Sequence, residues 1–376
     1  MTTDSRRLAL SASPGHSRAR RYWRNTHLCI ALLVGVVIAT LGLSGAALVL
    51  KGTLLRHDFG AATFDLAAAP STQWVAVDDW VAQARAHYPQ IRFVANVTAP
   101  GASPLATQAA LITAVLQDGG YGFVTVDPRT GRPLGFFRYG EGWLFNILDF
   151  HRHLLLPESA EEVGEQLVAG SGILLLVSIG SGLYLWWPRG TGWRSALRVQ
   201  RGKLLWRSLH ASSAVWAALP LLLIAISGVM LAKPAWVAGL TTPHASLPTS
   251  RTGTPCRPLA GYAAAIETTL HNVGGRRFTS IAPLPDGSAY VVQIEGSHRS
   301  DHETGSVRID TRCATVTPLA PEASARSATA QALHARLLMG WPGQILVFAT
   351  GLMLPFLYGT GLWVWWNKRR RAEPTP

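Results

Sequence analysis

Apolar residues are concentrated in four runs that contain no Asp, Glu, Lys or Arg: Leu28–Leu50, Gln166–Trp187, Ser208–Ala232 and Leu337–Trp366. A helix rises about 1.5 Å per residue and a bilayer core is roughly 30 Å thick, so about 20 mostly apolar residues span it. Each run meets that length and carries the glycines common in membrane helices. Buried helices of a large soluble core are the alternative, and four such runs parted by polar intervals argue against it. The two long intervals, 51–165 and 233–336, are patterned differently. In the first, Val77–His87 is helix-like and Ile91–Val97 alternates with period two. Tyr121–Val126 then leads into Asp127-Pro128-Arg129-Thr130-Gly131, a turn before a returning strand. The second interval repeats the order with helix-like Leu259–Thr269, strand-like Ala289–Ile294 and the alternating Val307–Val316. Both predict small α+β units.

The order along the chain is therefore a leader (1–27), span one (28–50), a first module (51–165), span two (166–187), a short loop (188–207), span three (208–232), a second module (233–336), span four (337–366) and a tail (367–376). The fold class expected is membrane α-helical, a four-helix transmembrane bundle with two small α+β modules.

Charge sets the orientation. The 376 residues include 34 Lys and Arg against 21 Asp and Glu, a formal net charge of +13. On its own that excess would point to nucleic acid. Its distribution does not. The leader holds Arg6, Arg7, Arg18, Arg20, Arg21 and Arg24; the short loop holds Arg189, Arg194, Arg198, Arg201, Lys203 and Arg207; the tail holds Lys368, Arg369, Arg370 and Arg371. Only Asp4 and Glu373 oppose them, which leaves these segments at +14 and the rest of the chain at −1. The positive-inside rule then puts both termini and the short loop in the cytoplasm, with both modules across the membrane. Trp23, Trp186, Trp187, Trp206, Trp363, Trp365 and Trp366 fall near the cytoplasmic ends, where an interfacial belt belongs. The bilayer replaces nucleic acid as the expected partner. The first run is too long for a signal-peptide core and lacks a convincing cleavage site, so it reads as an anchor. Cys29 lies in span one. Cys256 and Cys313 lie in the second module, where an oxidising compartment permits a disulfide, with two free thiols as the alternative.

The halves of the chain resemble each other. Trp23-Arg24-Asn25-Thr26-His27 corresponds to Trp206-Arg207-Ser208-Leu209-His210, and each histidine is followed 17 residues later by a Ser-Gly pair, Ser44-Gly45 and Ser227-Gly228. His151-Arg152-His153-Leu154-Leu155 corresponds to His334-Ala335-Arg336-Leu337-Leu338. His27 to His210 and His151 to His334 share one offset, 183 residues, which indicates an internal duplication in parallel orientation. A pseudo-twofold axis along the membrane normal would bring His27 to His210 near the inner face and His151 to His334 near the outer. Two facing imidazoles supply both axial ligands of one haem. A zinc or copper site needs three or four donors at one point, which pairs at opposite faces do not give. For any one of these histidines an interfacial role is the plainer reading; four at matching positions favour ligation. His153 points to another face of its helix and matches Arg336, so it is the weaker ligand candidate. Arg152 and Arg336 suit haem propionates, with interfacial snorkelling as the alternative. His298, Asp301, His302 and Glu303 read as a solvated turn.

Together these features resemble the PepSY-associated transmembrane family, often labelled iron-regulated membrane proteins. The resemblance rests on Arg24-x-x-His27 with Ser44-Gly45, His151-Arg152 before leucines, Gly182-Leu-Tyr-Leu-Trp-Trp-Pro-Arg189, Leu209-His210 with Ser227-Gly228, and Leu333-His334 leading to Gly359-Thr-Gly-Leu-Trp. The Asp127-Pro-x-x-Gly131 hairpin looks like the PepSY-module signature. The loop after His151 is longer and more acidic than usual, with Glu158, Glu161, Glu162 and Glu165. The family includes bacterial inner-membrane reductases of ferric siderophores that hold two b-type haems between four helices. The resemblance implies that His27 and His210 bind an inner haem and His151 and His334 an outer one. It implies that electrons pass outward to a ferric siderophore held in the periplasm. No nicotinamide or flavin fingerprint occurs, so the electron donor is a separate cytosolic or membrane partner. Two other functions fit the pattern: a cytochrome serving quinone or copper chemistry, and a non-enzymatic anchor that regulates an envelope partner.

Overall fold

The computed structural model describes residues 14–66, 73–103, 105, 108–188, 192–237, 258–272, 277–295, 305–319 and 322–370. In chain order the helices and strands are α1 (Pro14–Leu33), α2 (Gly35–Val49), α3 (Lys51–Phe59), α4 (Val77–His87), β1 (Ile91–Thr98), β2 (Ala110–Leu116), β3 (Tyr121–Val126) and β4 (Pro133–Arg138). Then follow α5 (Gly142–His153), α6 (Glu161–Trp186), α7 (Trp193–Ala196), α8 (Leu205–Ala232), α9 (Pro234–Val237) and α10 (Gly261–Asn272). The chain closes with β5 (Phe278–Pro283), β6 (Ala289–Ile294), β7 (Gly305–Asp310), β8 (Val316–Leu319), α11 (Glu322–Arg336) and α12 (Trp341–Arg370). It forms two compact units, one of residues 1–49, 151–234 and 332–376, the other of residues 50–150 and 235–331.

The first unit is helical. Among the described residues three helical stretches are long and apolar enough to cross a membrane, and four if α1 and α2 count as one span. The acidic first turn of α6 (Glu161, Glu162) and the basic last turn of α12 (Lys368, Arg369, Arg370) both complement the helix dipole. α6 packs against α1 and α8, and α12 packs against α2 and α8. The first span differs from expectation in being bent by 63° between α1 and α2. At the bend Gly35 lies so close to the Tyr358 ring that a Cβ there would sit 2.6 Å from Cε2.

The second unit is an antiparallel sheet of eight strands in the order β4-β3-β2-β1-β5-β6-β7-β8. α4 at Val77–His87, β1, the β3–β4 hairpin, α10 and β6 fall close to where the pattern places them, with Gly131 in the left-handed region at the hairpin turn. β2 and β5 are not anticipated by that pattern, and the alternating Val307–Val316 divides into β7, a turn and the start of β8. The two segments expected as separate modules share this one sheet. β1 pairs with β5 through Val97–Ile281 and Thr98–Ser280, which removes two sheet edges that would otherwise be exposed. α4 and α10 contribute Trp80, Val81, Ala84, Ala265 and Ile266 to a single apolar core with the strands. Asp78 ties the helices together, its carboxylate accepting the Tyr262 and Ala263 backbone N–H groups at the start of α10, each at 2.8 Å. Cys29 is a free thiol and Cys313 is disulfide-bonded. Cys256, the His298–Glu303 cluster, Arg189 and the charged residues before Pro14 and after Arg370 lie outside the described residues.

Candidate functional site

The four repeat histidines meet as two pairs within the helical unit. His27 on α1 and His210 on α8 have ring centroids 6.4 Å apart, with ring planes at 83°. His151, in the last turn of α5, and His334, in the last turn of α11, are 6.1 Å apart at 53°. All four rings are half-buried. His210 and Ser227, which contacts His334, lie 17 residues apart on the unbroken α8, so about 25 Å separates the pairs along that axis.

Each histidine is held the same way by a neighbouring helix. His27 Nδ1 lies 3.1 Å from the Ser178 carbonyl and 3.0 Å from Ser181 Oγ, both on α6. His210 Nδ1 lies 3.0 Å from the Leu357 carbonyl and 3.1 Å from Thr360 Oγ1, both on α12. His334 Nδ1 lies 3.0 Å from the Ile224 carbonyl and 3.3 Å from Ser227 Oγ on α8. His151 Nδ1 lies 2.9 Å from Ser44 Oγ on α2 and also bonds the Leu41 backbone. In every case the carbonyl comes three residues before the hydroxyl. A carbonyl only accepts, so each Nδ1 carries the ring proton and donates it. Nε2 is then the nitrogen with a free lone pair, the form in which imidazole ligates a metal.

The hydroxyls fit that arrangement because their own hydrogens are committed. Ser44 donates to Leu41 O at 3.0 Å, Ser181 to Ser178 O at 3.0 Å, Ser227 to Leu223 O at 2.7 Å and Thr360 to Phe356 O at 2.9 Å. Each hydroxyl oxygen therefore receives the imidazole N–H. A glycine follows each hydroxyl residue and makes room for the ring. A Cβ at Gly45, Gly182, Gly228 or Gly361 would lie 3.1, 3.3, 3.0 or 3.2 Å from the facing histidine's Cε1.

Two imidazole nitrogens each about 2 Å from one metal would hold their ring centroids about 6 Å apart, and both pairs have that spacing. Among the described residues no third His, Cys, Asp or Glu joins either pair at ligating distance. The donor set is thus two neutral imidazoles per site, which suits the axial positions of a haem and not a zinc or copper site needing three or four protein donors.

The sequence profile described as the PepSY-associated TM region matches residues 24–368, from just before His27 into the last turn of α12. The chain belongs to this family. No curated protein matches it. As a PepSY-associated membrane protein it carries both histidine pairs inside the matched region.

The other residues singled out from sequence sit differently. Arg152 and Arg336 are exposed at the ends of α5 and α11, and Arg152 lies 3.8 Å from Glu165. His153 is buried, its ring nitrogens 3.8 Å from Glu161 and 3.6 Å from Glu165. Glu162 and Glu165 of the enlarged acidic loop take up the Lys233 ammonium at 2.7 and 3.0 Å. Sequence reasoning noted Ser44-Gly45 and Ser227-Gly228 but missed Ser181 and Thr360. Their signal was a Ser-Gly-Leu and a Thr-Gly-Leu in the second and fourth spans, the same hydroxyl–glycine order.

Proposed function

We propose that this PepSY-associated protein is a bacterial inner-membrane dihaem reductase that passes electrons across the bilayer to ferric iron in a periplasmic siderophore. The observation that carries the reading is the pair of facing histidines at each end of the helical unit, every Nδ1 occupied as a donor and every Nε2 left to ligate. On this reading the four spans are a four-helix bundle built from a duplicated span–module–span unit, with both termini cytoplasmic, the orientation that the basic segments favour. His27 and His210 hold the inner b-type haem, and His151 and His334 the outer. Arg152 and Arg336, exposed at the helix ends that follow His151 and His334, would meet propionates with planar guanidinium forks on this reading.

A b-type haem supplies one-electron transfer when bound. The chain's own part is to hold each imidazole in one tautomer, exclude water with the apolar faces of α2, α6, α8 and α12, and keep the two sites apart across the bilayer. Reducing Fe(III) to Fe(II) loosens a siderophore's hold, because hard oxygen donors favour the more highly charged ion. Electrons come from a separate cytosolic or membrane donor.

Dithionite-reduced minus oxidised spectra of the purified protein test the reading. It expects b-type bands and two haems per chain by pyridine haemochrome assay. A colourless protein would sink it and leave the PepSY anchor role. Ferric siderophores and quinols offered in turn separate the reductase from a cytochrome serving quinone or copper chemistry.

A further inference from the structure

We propose that the four hydroxyl–glycine dipeptides, Ser44-Gly45, Ser181-Gly182, Ser227-Gly228 and Thr360-Gly361, are positioning devices that set the donor strength of the histidine ligands and so the potential of each haem. This rests on the dihaem reading above. Serine and threonine in membrane helices often bond a carbonyl one turn back for purely local reasons. Local bonding accounts for the hydroxyl-to-carbonyl contacts. It does not account for a histidine Nδ1 from another helix within 3.3 Å of all four hydroxyl oxygens. Nor does it account for a glycine after each, where a Cβ would press on the ring at 3.0–3.3 Å.

The arrangement has a chemical consequence. Each Nδ1–H is shared between at least two acceptors, a backbone carbonyl and a hydroxyl oxygen whose hydrogen points elsewhere, and His27 Nδ1 also has Ser178 Oγ at 3.3 Å. Two acceptors draw the Nδ1 proton outward and leave more electron density at Nε2, making it a stronger donor to the oxidised metal. The glycine lets the ring lie against the helix, which fixes its rotation about the ligand bond. Three sites use serine and one threonine. The shared requirement is therefore a β-hydroxyl rather than a particular side-chain size.

The holoprotein carrying Ser44→Ala, Ser181→Ala, Ser227→Ala or Thr360→Ala is titrated potentiometrically, with low-spin signals followed by electron paramagnetic resonance. With two haems retained, one of the two midpoint potentials should rise while the other stays. The rise expected is a several-fold change in that site's redox equilibrium, where tenfold equals 59 mV for one electron. Ser44→Ala and Ser227→Ala should move one component, and Ser181→Ala and Thr360→Ala the other. Ser→Thr at 44, 181 and 227, and Thr360→Ser, should keep the wild-type values. Where an alanine variant loses haem, retention in its hydroxyl-swap variant supports the proposal, and equal loss in both overturns it. Unmoved potentials and signals in all four alanine variants also overturn it and leave the dihaem reading intact. A wild-type protein without haem defeats the dihaem reading itself.

Discussion

In the second half of the chain α8 runs as one helix from Leu205 to Ala232 with Pro220 inside it, whereas the matching stretch of the first half turns through 63° between α1 and α2. α8 packs against both α6 and α12, but α1 takes α6 and α2 takes α12. The helix contacts differ too. Gly351 of α12 approaches the backbone of Gly42, where a Cβ would meet a carbonyl oxygen at 2.6 Å. Its counterpart Gly172 of α6 meets the Val229 side chain at 2.8 Å and the Ala225 carbonyl only at 3.8 Å. The acidic turn around Glu162 and Glu165, with Lys233 buried against it, occurs in one half alone. Yet the four histidine cradles share a carbonyl and a hydroxyl three residues apart, with Ser178 Oγ as a further neighbour of His27. The helices differ in course between the two halves, while the carbonyl and hydroxyl contacts that hold each imidazole are alike in kind.

The sharpest way to break that comparison is to remove one histidine from each pair. On the proposed dihaem reading, His210→Ala should cost the inner haem and spare the outer, and His334→Ala should do the reverse. Haem content per chain should then fall from two to one in either variant, and the proposed siderophore reduction should be lost in both. Retention of two haems in either variant would contradict the pairing.

The helix interfaces give a smaller and unequal effect. Gly351→Ala forces backbone apart and should destabilise by about 1–3 kcal/mol, the usual range for overpacking. Gly172→Ala asks only one valine side chain to give and should cost less than about 1 kcal/mol. Thermal unfolding in detergent checks the order, and equal shifts would mean that the two interfaces are alike.

Much of this is legible in the sequence, for identifiable physical reasons. The spans are long apolar runs, and the histidines stand out because ionisable groups are rare there. α4 and the β3–β4 hairpin follow from local periodicity and turn chemistry. What escaped depends on contacts remote in sequence. The pairing of β1 with β5 joins residues about 180 apart and answers an edge problem no local pattern expresses. The close approach of Gly35 to the Tyr358 ring beside the bend joins residues more than 300 apart. Ser181 and Thr360 look like ordinary small residues of a membrane helix until the partner ring is seen. Lys233 marks only the end of a span until Glu162 and Glu165 reach it.

A likeness between the halves outside the histidines concerns the backbone. Leu154, Leu155, Leu337 and Leu338 all have positive φ, between 47° and 60°, just after the histidine-bearing helices. Leucine pays about 1 kcal/mol or more for this region because its Cβ crowds the following carbonyl. Leu155 and Leu338 are each 56% exposed, so little burial is lost on truncation. Leu155→Gly and Leu338→Gly should each stabilise by about 0.5–1 kcal/mol, the relieved crowding outweighing glycine's greater chain entropy. Destabilisation in one half only would show that the two reversals are held differently.

The finest distinction is at two matching turns of the sheet unit. Asp127 and Asp310 lie 183 residues apart, at the ends of β3 and β7. Arg129 hydrogen bonds through its guanidinium to both Asp127 oxygens, at 3.0 and 2.9 Å, and this holds the carboxyl below its ordinary range. Asp310 is also held low, but by the backbone N–H groups of Cys313 and Arg312. A depressed carboxylate stabilises the fold above its unfolded pKa, and that contribution disappears as pH falls through the folded value. Both turns should therefore weaken on the acid side. Asparagine can still accept backbone N–H groups but cannot answer a guanidinium's charge. Asp127→Asn should lower stability at neutral pH more than Asp310→Asn, and the gap should close as the pH falls below the carboxylate range. Unfolding of both variants across that range reads the difference directly, and a gap that persists in acid would assign it to packing rather than to charge.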